Sequence, residues 1–259
     1  MAKIEHNLPK ISIWITSTGR YNCTKRTIDA FLEHNTYPNI EFLIFHSVPT
    51  SESKLTYTAS DVGNPKVLLL FEKLLRKYPG KLWVEPWPPF GNTLMTLLNN
   101  SAEYFINLGD SNAAVCDGIE QIKAGIKLLE AEKDLLALRL DLADETVFEG
   151  SCKFDGTKEV PELNTKYVHW KIYPVSAQLV HTARMKQVGF PVDHDIGHKN
   201  IVEEYPQARL LELPYVCGID LAYKGFLHHI NPVSTTNENR KWRVDLYEDC
   251  RRKGNYGKK

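Results

Sequence analysis

Apolar residues in this chain come in short runs, separated by longer stretches where they recur every three or four positions. Residues 11–16 (Ile-Ser-Ile-Trp-Ile-Thr), 40–45, 81–85, 104–108 and 135–140 are such runs, and the composition of each predicts a buried strand. Between them, 21–35 sets Ile28, Phe31 and Leu32 on one helical face, and 117–132 does the same with Ile119, Ile122, Ile126 and Leu129. Residues 65–78 read as a helix with Pro65 at its first turn, and Gly91-Asn92-Thr93 opens another that runs through Asn99. Strand and helix therefore alternate as far as Asp141, the pattern of a mostly parallel central sheet flanked by helices, an α/β fold.

Beyond Asp141 the rhythm breaks. Residues 144–165 are polar and glycine-bearing and read as a long loop or a small hairpin. Loops of that length inside a compact domain are usually functional or disordered, and one use is a lid over substrate. Residues 167–173 read as a strand, 176–188 as a helix ended by Gly189, and 221–230 as a late strand carrying His228 and His229. With no internal repeat and no linker composition, the expectation is one domain over 1–259.

The bulk numbers change this picture little but exclude several classes. Of the 259 residues, 42% are hydrophobic and 25% charged, the proportions of a soluble globular protein with a large core. Thirty-two basic and 32 acidic side chains give a net charge of +0, which argues against a dedicated nucleic-acid binder. Basic residues do crowd the end, from Arg240 to Lys259. They read as a solvated tail, or as a weak contact with a membrane surface or polyanion. Five scattered cysteines without a C-x-x-C pair suggest neither a zinc knuckle nor a disulfide framework, and fit a reducing compartment. No signal-peptide core and no membrane-spanning run is present, so the expected location is cytoplasmic.

The most chemical stretch is Asn107-Leu108-Gly109-Asp110-Ser111-Asn112. Open α/β sheets bind ligands just outside the carboxyl ends of their strands. A carboxylate there, with an amide oxygen two residues on, is able to hold a hard divalent cation against a diphosphate. The plainer alternative is that Asp110 caps the helix that follows, or shapes a turn. Thr16, Thr18 and Arg20, at the end of the first strand, are candidates to bond a nucleoside and neutralise phosphate, or else shape a turn and make a surface ion pair. Asn92, at a helix start, is either a phosphate-side contact or a plain cap. Trp170 and Trp87 are sugar platforms or core.

Taken together, these pieces resemble the GT-A fold, in particular the family 2 type of nucleotide-sugar glycosyltransferases. Residues 11–20 resemble the family's first strand and turn, and 41–47 its second strand, whose end reads the nucleobase and here holds Ser47. Residues 107–112 sit where the family keeps its D-x-D-type metal motif, Gln187-Val188-Gly189-Phe190 resembles the step before its catalytic region, and Glu203-Glu204 its acidic pair. The resemblance implies a nucleotide-sugar-binding half over about 8–141, an acceptor-binding half over about 142–235 with a mixed C-terminal sheet, and a basic extension over 236–259. It implies a donor carrying a nucleotide diphosphate, a glycan or glycoconjugate acceptor, and an inverting reaction in glycan biosynthesis. It also implies Mn2+ (or Mg2+) held by Asp110, Asn112 and one of two late histidines, of which His229 is preferred over His228. The acceptor hydroxyl needs a base; Glu203 is preferred, then Asp195, with Asp193 and Glu204 behind them.

The sequence departs from the family twice. Ser111 and Asn112 leave the metal motif without its second acid, and His46-Ser47-Val48 stands where relatives put an aspartate against uracil, which leaves Asp61 or another base to consider. Two other readings compete: a sugar-phosphate-activating nucleotidyltransferase, for which 17–20 is a short loop, and a decayed transferase that only binds carbohydrate or nucleotide.

Overall fold

The structure is a computed structural model that describes residues 8–48, 63–86, 88, 90–109, 112–140, 156–171, 177–192, 201–223 and 225–229, with only the backbone described at 201–204, 207 and 228–229. The elements in order are β1 (Ile11–Ser17), α1 (Tyr21–His34), β2 (Ile40–Val48), α2 (Lys66–Lys77), β3 (Gly80–Pro86), α3 (Phe90–Asn100), β4 (Tyr104–Asn107), β5 (Asn112–Ala114) and α4 (Ile119–Ala131). There follow β6 (Leu135–Arg139), β7 (Gly156–Val160), a 3-10 turn (Pro161–Leu163), β8 (Thr165–Trp170), β9 (Gln178–His181), α5 (Thr182–Val188), α6 (Ile201–Glu212), β10 (Val216–Asp220) and β11 (Leu227–His229).

Nine strands form one sheet in the order β3-β2-β1-β4-β9-β6-β10-β8-β7, and β11 pairs with β5 in a second. The first four strands are mutually parallel, as the alternating pattern predicts. From β9 onward the sheet is mixed: β9 runs antiparallel to both β4 and β6, β10 is parallel to β6, and β8 and β7 close the far edge antiparallel. The helices make two outer layers. Ile28 and Phe31 of α1, Val67 and Phe71 of α2, and Ile122 and Leu129 of α4 pack with Ile13, Phe42 and Ile106 on one face. Leu94 and Leu97 of α3, Met185 of α5 and Leu210 of α6 pack with Trp14, Phe105 and Val180 on the other, where Trp14 and Phe105 stack at 3.7 Å between ring centroids. Successive strand residues alternate between the two clusters, as the pleat requires.

Several expectations are corrected. Residues 176–188 are not one helix; β9 comes first, and Leu179 and Val180 are wholly buried in the middle of the sheet. A short apolar run carries no period that separates a buried strand from a helical turn. Within 144–165, the described part holds the β7–β8 hairpin rather than an open loop. The expected late strand over 221–230 begins only at Leu227, and β10, wholly buried, precedes it.

Polar groups lock the second half to the first. Arg184 of α5 is buried, and its guanidinium donates to the carbonyl oxygens of Leu129 (2.8 Å), Glu132 (3.0 Å) and Leu135. A cation here satisfies carbonyls left open at the end of α4, where the helix dipole favours positive charge. The Glu132 carboxylate accepts from Tyr167 Oη (3.1 Å) and pairs with Lys158, tying the β7–β8 hairpin to the same helix end. Among the described residues, no helix is long and apolar enough to cross a membrane.

Candidate functional site

Because β9 is antiparallel to both of its neighbours, β4 and β6 point the same way, and the carboxyl ends of β1, β2, β3, β4, β6 and β10 share one edge of the sheet. The expected site residues gather along that edge. After β1 the chain turns sharply at Gly19, whose φ is +87°. Gly63 N–H donates to the Thr18 carbonyl (2.8 Å) and Asn64 N–H to that of Gly19 (3.1 Å), so the backbone before α2 is pressed onto the turn. Thr16, Thr18 and Arg20 are half-buried around it, and the Arg20 carbonyl accepts the first helical bond of α1 from Thr24 N–H (2.9 Å).

A staggered line of polar residues crosses the same edge on the α3 side of the sheet. Alternation puts Ser47 with Phe45, Thr16 with Trp14, Asn107 with Phe105, and Gln178 with Val180 on the face of the second cluster. Arg139 joins them, being two residues past Ala137 and directly opposite Gln178 in the β6–β9 ladder. Sequence reasoning missed Gln178 and Arg139, although a polar residue at the end of an apolar strand is the signal each of them carries. His46 lies on the other face, buried against Phe71, and burial pulls its pKa below the ordinary histidine value.

The start of α3 closes over the α3 side of this edge. Three residues separate it from the end of β3, and Gly91 packs so tightly against the Pro191 carbonyl that no side chain fits between them. That contact joins Asn92, half-buried in the first turn, to the segment following α5. Phe90 and Val192 are exposed apolar residues beside it.

At the end of β4, Leu108 and Gly109 N–H both donate to the Trp14 carbonyl (3.1 Å each), and Gly109 takes a φ of +63°. Asp110 lies outside the described residues. Asn112 begins β5, is buried, and donates through Nδ2 to the Leu108 carbonyl (2.5 Å). Its Oδ1 is also buried and meets no hydrogen-bond donor among the described residues. An unmatched buried amide oxygen is costly unless some ligand engages it. The β5–β11 ladder sets His229 directly opposite Asn112 and His228 opposite Ala113, and opposite residues of an antiparallel pair share a face. A hard oxygen donor and a histidine position thus fit a divalent cation, though among the described residues no group of three His, Cys, Asp or Glu side chains gathers.

The remaining expected residues fall elsewhere. Trp170 is corrected: it is 1% exposed within the second cluster and pairs with Cys217 near the start of β10, towards the opposite edge of the sheet, so its ring offers no open face to a sugar. Glu203 and Glu204 lie in the first turn of α6, a helix interrupted by Pro206, with only their backbone described. Asp61, Trp87, Asp193 and Asp195 lie outside the described residues.

No protein-family model matches the sequence, and no curated protein matches it either. Solved structures do match the fold. The mannosyltransferase PcManGT of Pyrobaculum calidifontis, in complex with GDP-Man and Mn2+, superposes with a TM-score of 0.55 at 13% identity, over 86% of this chain and 60% of that one. TarS 1-349 of S. aureus with UDP-GlcNAc gives 0.55 at 15%, over 93% and 66%. GalNAc-T7 with UDP, GalNAc and Mn2+ gives 0.57 at 11%, over 94% and 50%. The fold is GT-A. In this GT-A chain the carboxyl edge described above is the ligand-bearing edge of an open α/β sheet, and the chain spans half to two-thirds of the length of these neighbours.

Proposed function

We propose that this chain is a metal-dependent glycosyltransferase that moves a sugar from a nucleotide-diphosphate donor to a hydroxyl of a glycan or glycoconjugate, with inversion. The observation that carries the reading is the β5–β11 register, with His229 opposite Asn112 and an unmatched Asn112 Oδ1 two residues past Asp110. The GT-A fold supports it, as do the GDP-Man, UDP-GlcNAc and Mn2+ in the neighbours' structures.

Asp110, Asn112 Oδ1 and His229 would hold Mn2+ or Mg2+, which supplies Lewis-acid neutralisation of charge on a departing diphosphate. Thr16, Thr18 and Ser47 bond the nucleoside at the ends of β1 and β2. Arg20 and the amino end of α3, with Asn92, favour the phosphates. Glu203, or Asp195 in its stead, takes the proton from the acceptor hydroxyl as the sugar carbon is attacked.

Release of UDP from UDP-GlcNAc and of GDP from GDP-mannose, with and without Mn2+ and acceptor glycans, tests the reading. One donor is consumed in a manganese-dependent way, and Asp110→Asn loses that consumption at unchanged melting temperature. Unchanged turnover in Asp110→Asn, or consumption of neither donor, refutes it. Pyrophosphate release from a nucleoside triphosphate and a sugar phosphate would point instead to nucleotidyl transfer.

A further inference from the structure

The polar line across the sheet extends beyond what binding a nucleotide requires. Ser47 and Thr16 serve the nucleoside end, whereas Asn107, Gln178 and Arg139 lie on the other side of β1, on β4, β9 and β6. These three are level with one another: Arg139 is opposite Gln178, and Leu179 opposite Ile106 brings Gln178 beside Asn107. At about 4.8 Å per strand, the outer two are about 9.6 Å apart at the backbone. All three interrupt a face that is otherwise apolar, formed by Trp14, Phe105, Ala137 and Val180.

We propose that Asn107 and Arg139 grip the sugar of a nucleotide-sugar donor, and that Gln178 between them is a positioning residue. This rests on the donor reading above. Burial divides the roles: Gln178 has 0% exposure, so no ligand reaches it, whereas Asn107 and Arg139 are half-exposed at the carboxyl ends of their strands. The chemistry fits a polyol. A hydroxyl both donates and accepts; the Asn107 amide matches either role, while the Arg139 guanidinium supplies only donors, in a fixed fork. The position fits as well. From Ser47 through Thr16 to β4 the edge runs from the nucleoside end to the strand that leads into Asp110 and Asn112, and the next strands along, β9 and β6, carry the rest of the row. A ligand bound in that order has its nucleoside at β2–β1, its diphosphate at the end of β4, and its sugar over β4–β9–β6.

The experiment is calorimetric titration, with Mn2+, of UDP against UDP-GlcNAc and GDP against GDP-mannose, for the wild type, Arg139→Met, Asn107→Leu and Gln178→Met. For whichever pair binds, Arg139→Met and Asn107→Leu weaken the nucleotide-sugar about tenfold (about 1.4 kcal/mol) and leave the diphosphate within about twofold. Gln178→Met gives the same split, and Gln178→Glu, which keeps an acceptor beside both neighbours, recovers part of it. A purely structural role would lower the affinity for both members of the pair. Should Gln178→Met fail to fold, the half-exposed Arg139→Met still decides. Equal losses for diphosphate and nucleotide-sugar, or none for either, overturn the proposal while leaving the donor reading standing. If the wild type binds neither diphosphate, the donor reading falls, and this proposal with it.

Discussion

Two glycines allow the tight turn beneath the nucleoside end to be weighed against a control in the same chain. Gly19 has φ +87° and Gly189 φ +74°, both in the region that L side chains avoid. They differ in what an added methyl would meet. At Gly19 it would lie 2.6 Å from Gly63 N, 2.8 Å from Gly63 Cα and 2.9 Å from Asn64 N, all backbone atoms; at Gly189 nothing lies within 4 Å. Gly189→Ala therefore carries the conformational cost alone, about 1–2 kcal/mol. Gly19→Ala carries that plus overpacking of about 1–3 kcal/mol, for a sum of roughly 2–5 kcal/mol. The entropy that alanine removes from the unfolded chain is common to both and cancels in the difference. Urea denaturation measures each free energy, and the gap of about 1–3 kcal/mol is the worth of the Gly19–Gly63 contact. The cost is large beside a typical total of about 5–15 kcal/mol. The same shift would break the bonds to the Thr18 and Gly19 carbonyls and weaken diphosphate binding in Gly19→Ala only. If Gly19→Ala is no more destabilising than Gly189→Ala, the close approach of 63–64 to the turn is wrong.

Two more consequences are open to measurement. Arg184→Met leaves three buried carbonyls without their charged donor and should cost roughly 3–5 kcal/mol in the same denaturation experiment; a loss below about 1 kcal/mol would mean that water or another donor replaces it. His46 and His181 are both held below the ordinary histidine pKa, chiefly by burial, with Arg184 adding to the effect at His181. The unfolded chain thus binds protons that the folded one refuses, so their contribution is complete above the unfolded histidine value of about 6.5 and declines as pH falls below it. Replacing His181 by Phe should flatten the stability–pH curve between about pH 6.5 and the lower folded pKa, and an unchanged slope would show that neither histidine is responsible.

What could be read from the sequence follows from how local each signal is. β1, β2, β4 and the helices α1 and α4 declare themselves because their periods are long enough to be unambiguous. So does the break at Gly109, where a strand must stop. β9 was hidden because Gln178-Leu179-Val180 is too short to show a period, and β10 because Val216 to Ile219 abuts a helix end with little punctuation. The polar row was illegible for a different reason. Asn107, Arg139 and Gln178 are up to 71 residues apart in the chain, and nothing local says that β4, β9 and β6 are neighbours. The pairing of Asn112 with His229 was within reach only through family resemblance, since it depends on a long-range register that no window of sequence contains.

The position of β9 also bears on how the chain reaches its native state. β4 and β6 arise close together in synthesis, yet neither bonds the other; the strand that joins them is made some forty residues after β6. A fragment ending at residue 141 would leave both with bare hydrogen-bonding edges in the middle of an apolar sheet, an invitation to self-association. Nucleotide half and acceptor half are therefore not exchangeable modules that could be cut apart and recombined. Whatever their separate duties, the two must acquire structure together.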